Sequence, residues 1–311
     1  MKAVVLANMG APYSEKQMKT FLKRMFSDKA IIYAPTWVRR LVSFLISNIR
    51  YKSSWRKYDL IGGSPLYASM DETAISLQAI LPDDYRVFCA YSYSEPFMPG
   101  VYRQLYQSGI YDVTVIPMYP QASYSTTGSL KTDTAIAAQK YPQLNIRFID
   151  DYFEHPLFIA FWVKQISNKI KAEGYHKPYL LFSAHAIPQS FIQRGDTYAL
   201  QMERSAELIA ASLGLPYSVA YQSKIGPVGW TKPYTIEQLK ALKTSGIDQI
   251  VVVPLSFINE NLETRYDIDT EIIPQSRNAI GIQQICRVTI PQSDEMLVNM
   301  FAEFVNKEQL A

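Results

Sequence analysis

The chain has 311 residues, 48% hydrophobic and 19% charged, with 31 basic against 28 acidic side chains for a net charge of +3. That length suits two domains, each able to bury its own core, and the composition reads as globular and soluble. The near-balanced charge gives no argument for nucleic acid, and two cysteines, Cys89 and Cys286, cannot build a disulfide framework or a four-thiolate cluster. No iron–sulfur cluster is therefore expected, and a reducing compartment, the cytoplasm, is. No run approaches the roughly 18 apolar residues of a membrane-crossing helix, and no leader is expected before the first strand.

In chain order, that strand is KAVVLAN (2–8). The stretch PTWVRRLVSFLISNIRYKSSWRK (35–57) then joins an apolar run to Arg39, Arg40, Arg50, Lys52, Arg56 and Lys57. It reads either as a helix packed on its own domain or as a peripheral membrane contact. Three further β-rich runs follow: YRVFCAYSY (85–93), VTVIPMY (113–119) and IRFIDDY (146–152). The second half repeats the theme with YLLFSAH (179–185), YSVAYQS (217–223), QIVVVPLSF (249–257) and QQICRVTIP (283–291). Most runs are continuously apolar, as in strands covered on both faces of a parallel sheet. Segments such as PGVYRQLYQSG and TYALQMERSAELIAASLG carry helical spacing between them. Eight strands with helical crossovers predict an α/β chain with two four-stranded sheets. The expected divisions are residues 1–157, residues 158–292, and a C-terminal helix over 293–311 that packs back on the first domain.

The halves also resemble each other. With Pro117 set on Pro254, Thr126 falls on Glu263; with Pro12 set on Pro188, Met9 falls on His185. An internal duplication accounts for this, and chance matching of strand–turn units is the alternative. If duplicated, both halves present functional residues at the carboxyl ends of their strands, where open α/β sheets bind ligands.

Motifs for nucleotides, serine nucleophiles and zinc are missing: there is no GxGxxG after a strand, no GxxxxGKS/T, no GxSxG and no HExxH. Of three histidines, His155 and His176 sit beside Pro156 and Pro178 in loop-like sequence and read as surface residues. His185 ends an apolar strand, which suits a base or metal ligand at a cleft as well as a satisfied strand-end histidine. Farther on, Glu263, Asp267 and Glu271 recur at i, i+4 and i+8. On a helix over 260–271 they share one face, either solvated or lining a cation or proton path.

Together these segments resemble the ferrochelatases. The matching runs are LLFSAHAIPQSFIQRGDTY, YQSKIGPVGWTKPYT and VVVPLSFINENLETRYDID, with VVLANMGAP, GGSPL and MYPQASYSTTGS in the first half. The resemblance spans the chain. It implies two similar Rossmann-like domains with a porphyrin cleft between them, and a reaction that inserts Fe2+ into a porphyrin to make haem. It places the catalytic and metal-binding pair at His185 and Glu263. Met9, Tyr93, Ser123, Ser125 and Trp230 become porphyrin-binding residues, and Glu260, Asn261, Asp267 and Glu271 a proton or metal relay. Three positions depart from the family pattern: Asn261 replaces a usual histidine, Ala186 a usual Gly or Ser, and Arg265 a usual apolar residue. Methionine rather than tyrosine at position 9 favours protoporphyrin IX over coproporphyrin. The alternatives are a non-catalytic haem or porphyrin carrier, a chelatase for another metal or tetrapyrrole, and an enzyme working mainly in the iron-removing direction. No nucleotide and no nucleic-acid partner are expected.

Overall fold

The computed structural model describes residues 1–224, 226 and 228–306. Two compact units divide the chain: Met1–Asp151 with the segment from Gln292 onward, and Tyr152–Pro291. In the first unit the order is β1 (Lys2–Asn8), α1 (Glu15–Ser27), α2 (Thr36–Ile49), α3 (Tyr51–Leu60), α4 (Leu66–Ile80), β2 (Tyr85–Tyr91), α5 (Met98–Gln107), β3 (Asp112–Pro117), α6 (Thr127–Lys140) and β4 (Asn145–Phe148). The second unit runs α7 (Pro156–Glu173), β5 (Tyr179–His185), α8 (Gln189–Gln193), α9 (Tyr198–Leu213), β6 (Tyr217–Gln222), α10 (Thr235–Thr244) and β7 (Gln249–Val253). It continues with a π-helix (Glu263–Ile272), α11 (Ile273–Gln275), a second π-helical stretch (Ser276–Ile280) and β8 (Gln284–Arg287). The chain then returns to the first unit as α12 (Glu295–Asn306), where Ser69 Oγ donates to the Gln292 carbonyl at 2.9 Å. Residues 307–311 of the expected C-terminal helix lie outside the described residues.

Each unit holds one parallel four-stranded sheet flanked by helices, ordered β2-β1-β3-β4 and β6-β5-β7-β8. The expected α/β class and the pair of four-stranded sheets are both present. The central strands β1 and β5 are buried along nearly their whole length, which is why their sequences do not alternate. Val5, Val115, Met98 and Leu105 pack in the first core, and Leu181, Val252, Leu239 and Ile268 in the second. Several strands stop short of the apolar runs that announced them. β7 ends at Val253 because Pro254, with no N–H to donate, cannot extend the ladder.

The likeness between the units extends to their loops. The Tyr91 N–H donates to the Pro96 carbonyl at 2.9 Å, and the Tyr221 N–H donates to the Pro233 carbonyl at 2.9 Å. Each strand end also bridges the residue after that proline, Phe97 or Tyr234, just before a helix starts. The connection is Ser92–Glu95 in the first unit and the longer Ser223–Lys232 in the second, which carries Trp230.

In both sheets the strand order reverses between the first strand and its third-strand neighbour. The crevice at the carboxyl ends of β1 and β3, and likewise of β5 and β7, is the topological switch point where such sheets take ligands.

Candidate functional site

His185 is the last residue of β5 and stands half-buried at the second switch point. Its Nδ1 lies 2.7 Å from the Ala186 carbonyl oxygen. A carbonyl only accepts, so Nδ1 carries a proton, and in the matching neutral tautomer the lone pair lies on Nε2. The His185 backbone N–H donates to Ser256 Oγ at 3.3 Å, which ties the strand end to the segment leaving β7. The buried Tyr198 hydroxyl meets the same Ser256 side chain and the same backbone amide. Burial holds that phenol well above its ordinary pKa, so it remains a neutral hydrogen-bonding strut.

The tryptophan loop is stitched directly to this strand end. Pro188 and Trp230 form an antiparallel bridge. Gln189 N–H donates to the Gly229 carbonyl at 2.8 Å, Thr231 N–H to the Ile187 carbonyl at 3.0 Å, and Ile187 N–H to Thr231 Oγ1 at 3.2 Å. Trp230 is thereby held within a few residues of His185 in the second unit. Its ring is half-buried, and its buried Nε1 has no acceptor among the described residues.

From Pro254 the chain runs along the switch point and enters the π-helix, whose first residue is Glu263. The regular helix expected over 260–271 is thus replaced, from 263 onward, by one with wider turns. In an α-helix four residues overshoot one turn; in a π-helix they fall short of it. Either way Glu263, Asp267 and Glu271 recur on one side, with Glu263 and Asp267 half-buried and Glu271 exposed. Asp267 also accepts a hydrogen bond from Ser223 Oγ, at the start of the tryptophan loop. Ser223 adopts φ 66°, a left-handed conformation unusual for a side-chain-bearing residue.

Asn261 caps the helix. Its side-chain oxygen accepts the Thr264 N–H at 3.0 Å, and its own N–H donates to Thr264 Oγ1 at 3.0 Å. The Asn261 amide therefore has local work. Glu260 is buried and occupied on both oxygens. Oε1 accepts from Arg287 at 2.8 Å and from the Ile290 N–H at 2.9 Å; Oε2 accepts from Thr264 Oγ1 at 2.5 Å and pairs with Arg265 at 3.2 Å. Burial alone would raise the Glu260 carboxyl, but the Arg287 guanidinium and the Thr264 and Ile290 donors outweigh it and hold the pKa below its ordinary value. A carboxylate so committed is poorly placed to pass protons, unlike the expectation drawn for it from the sequence.

At the first switch point, Met9 follows β1 and is half-buried. Its N–H donates to the Tyr119 hydroxyl at 3.0 Å, and its carbonyl accepts the Tyr93 N–H at 3.0 Å. Gly10 next to it has φ 85°, and a Cβ there would stand 1.9 Å from Ser94 Oγ, so only glycine fits. Tyr93 is buried, with its hydroxyl donating to Asp28 at 2.7 Å and meeting Ser129 at 2.8 Å. Ser123 and Ser125 sit just before α6, their hydroxyls 3.1 Å apart. Elsewhere, His155 accepts from the Leu157 N–H at 3.3 Å and caps α7, while His176 is exposed.

Sequence reasoning missed Tyr198, Ser256, Asp269 and Arg287. Only Arg287 carried a sign: a charged residue inside an apolar strand run. Among the described residues no three His, Cys, Asp or Glu side chains gather as a ready-made metal cage.

On the first unit α2 is inverted. Ser43 and Ser47 are its buried residues, while Trp37 is 71% exposed, Phe44 59% and Ile49 74%. An open cavity of about 430 Å³ beside it is lined by Lys23, Ser27, Thr36, Arg40, Ser43 and Phe44. Among the described residues no helix is long and apolar enough to cross a membrane.

Similarity to known proteins agrees with this geometry. A protein named "Ferrochelatase" from Aquifex aeolicus (strain VF5) is 32% identical over 312 residues, covering 99% of each chain. Another from Sulfurihydrogenibium sp. (strain YO3AOP1) is 33% identical over 328 residues, covering 98% of this chain and 97% of that one. Among solved structures, "SirB from Bacillus subtilis with Fe3+" superposes with a TM-score of 0.60 at 13% identity, covering 99% of this chain and 98% of that one. CbiX, described as the terminal enzyme for biosynthesis of siroheme in denitrifying bacteria, superposes at 0.52 and 12% identity, covering 99% of each chain. These structures share the fold. The family model for Ferrochelatase matches residues 1–309, and the chain belongs to the ferrochelatase family of metal chelatases.

Proposed function

We propose that the protein inserts Fe2+ into protoporphyrin IX, with His185 and Glu263 as the reacting pair. The observation that carries this reading is the meeting, at one switch point, of the His185 strand end and the segment that leads to Glu263. Insertion expels two pyrrole protons. The His185 Nε2 lone pair accepts one, since Nδ1 is already committed to a carbonyl. The Glu263 carboxylate supplies a hard oxygen for the incoming ferrous ion and a second proton acceptor. Asp267 and Glu271 extend that carboxylate row from the half-buried to the exposed part of the helix. Trp230 offers a flat apolar surface to a flat ring. Met9, Tyr93, Ser123 and Ser125, at the corresponding edge of the first unit, are assigned to porphyrin binding. The Tyr93 hydroxyl is engaged by Asp28 and Ser129 and its N–H by the Met9 carbonyl, so its part is to hold the Met9 edge in place.

Protoporphyrin IX is favoured by Met9, whose thioether packs without the ligating oxygen a tyrosine would bring. The apolar, exposed side of α2, with Arg39, Arg40, Arg50 and Lys52 on or beside it, suits peripheral contact with an anionic bilayer, the phase that holds an apolar porphyrin. The test is an anaerobic assay with Fe2+ and either protoporphyrin IX or coproporphyrin III. Faster conversion of protoporphyrin to haem supports the reading. Preference for coproporphyrin overturns the substrate assignment, and a bound-porphyrin spectrum without conversion overturns the enzyme.

A further inference from the structure

We propose that Arg287 is a positioning residue for the Glu263 carboxylate, acting through a buried clamp that grips the chain on both sides of it. The inference rests on the reading of Glu263 as a reacting group. Arg287 lies at the end of β8, in register with Val252 of β7, so its backbone is fixed by the sheet. The side chain is buried, and its donors are divided between the two sides of the clamp. Nε and Nη2 donate to Asp269 Oδ1 and Oδ2 at 2.8 and 2.7 Å, a two-pronged contact. Nη1 donates to Glu260 Oε1 at 2.8 Å and to the Val288 carbonyl at 3.1 Å. Glu260 in turn holds Thr264 and Arg265, the two residues that follow Glu263. One guanidinium thus pins position 260 before the candidate donor and position 269 after it.

The physical case for positioning comes from what such a cluster does poorly. Removing a guanidinium and a carboxylate from water costs much of what their attraction returns, so buried ion pairs are weak sources of net stability. Well-packed apolar side chains at 260, 269 and 287 together would join β8 to the helix about as well. A planar fork supplies direction instead: two parallel hydrogen bonds fix the angle as well as the distance of Asp269. Direction matters here because π-helical turns are rare, and such turns recur at functional sites. Without the clamp the first turn, and Glu263 with it, is free to shift toward ordinary α-helical spacing. Lysine keeps the charge at 287 but brings a single point donor and cannot hold both carboxylates in fixed directions.

The experiment compares Arg287→Lys and Asp269→Asn with the parent, each alone and combined with Glu263→Gln. It reads the initial rate against Fe2+ concentration, porphyrin affinity by fluorescence quenching, and the thermal midpoint. A positioning role lowers turnover by about 10- to 100-fold, the usual cost of losing an outer support of a metal-binding group, with porphyrin affinity unchanged. In the Glu263→Gln background the same substitutions then add no further loss, because there is no carboxylate left to aim. A merely structural role lowers the midpoint and leaves the rate per folded molecule at the parental value, which overturns the proposal. Losses that multiply fully with Glu263→Gln overturn it as well. If Arg287→Lys fails to fold, Asp269→Asn, which keeps the Arg287–Glu260 pair, carries the test; failure of both to fold assigns the cluster to stability and overturns positioning. A parental rate for Glu263→Gln removes the donor reading and the clamp with it. A crippled Glu263→Gln beside a fully active Arg287→Lys overturns the clamp alone.

Discussion

At the scale of single residues, the most consequential contact is the 2.7 Å hydrogen bond from His185 Nδ1 to the Ala186 carbonyl. It selects the tautomer and turns a strand-end histidine into a directed lone pair. His185→Ala should lower haem formation by roughly 100-fold or more while porphyrin binding persists, because a positioned base acts in the transition state. Near-parental turnover in an anaerobic assay would remove the histidine from the mechanism. The substitution leaves the backbone bond to Ser256 in place, so the fold should survive it. That histidine was legible in sequence because it ends an uninterrupted apolar strand. The proton on Nδ1 was not, since a neighbouring carbonyl comes within reach only once the turn after β5 is formed.

At the scale of elements, the π-helix departs from the regular helix its sequence announces, and α2 exposes the apolar side for which its sequence left two readings open. The carboxylates along the π-helix should act unequally. Glu263→Gln should cut the maximal rate severely with little change in porphyrin affinity, the mark of a group used in the reacting step. Asp267→Asn should cost less and loosen the tryptophan loop, since it weakens the bond from Ser223. Glu271→Gln, at an exposed position, should change the rate least. Equal and small effects at all three positions would mark a solvated face instead. For α2, Trp37→Ser with Phe44→Ser should abolish co-sedimentation with vesicles rich in anionic lipid and leave the thermal midpoint within a degree or so, because both side chains already face solvent. Retained vesicle binding would place the membrane contact elsewhere. The period of three acids was readable at either helical spacing. The π geometry was not: no local signal in the run separates it from α, and contacts such as those of Arg287 with Asp269 and Glu260 come from a distant strand.

At the scale of the whole molecule, stability should carry a titration that no short stretch of sequence predicts. Asp133 on α6 is pushed up to about 6 from 3.8, chiefly by burial and further by the Asp28 charge, while the Ser92 hydroxyl at 2.8 Å works the other way. A raised carboxyl pKa means that the folded state binds the proton more tightly than the unfolded chain does. Stability therefore falls as pH rises through the window between those two values and levels off above it. Asp133→Asn should raise the thermal midpoint near neutral pH and lose that advantage in more acidic solution; a constant difference across a pH series would refute the assignment. By itself the sequence determined the α/β class, the eight strands, the internal likeness of the halves and the placing of His185 at a strand end. These follow from local rules: apolar runs long enough for buried strands, prolines that stop them, and motifs read in order. Only the tertiary structure decided that Glu260 is spent on Arg287, that Asn261 caps a helix, that Trp230 is laced to the His185 turn and that α2 shows its apolar side to solvent. Each of those depends on partners brought together by strand order or helix packing, and the competition among such partners is settled by geometry in space.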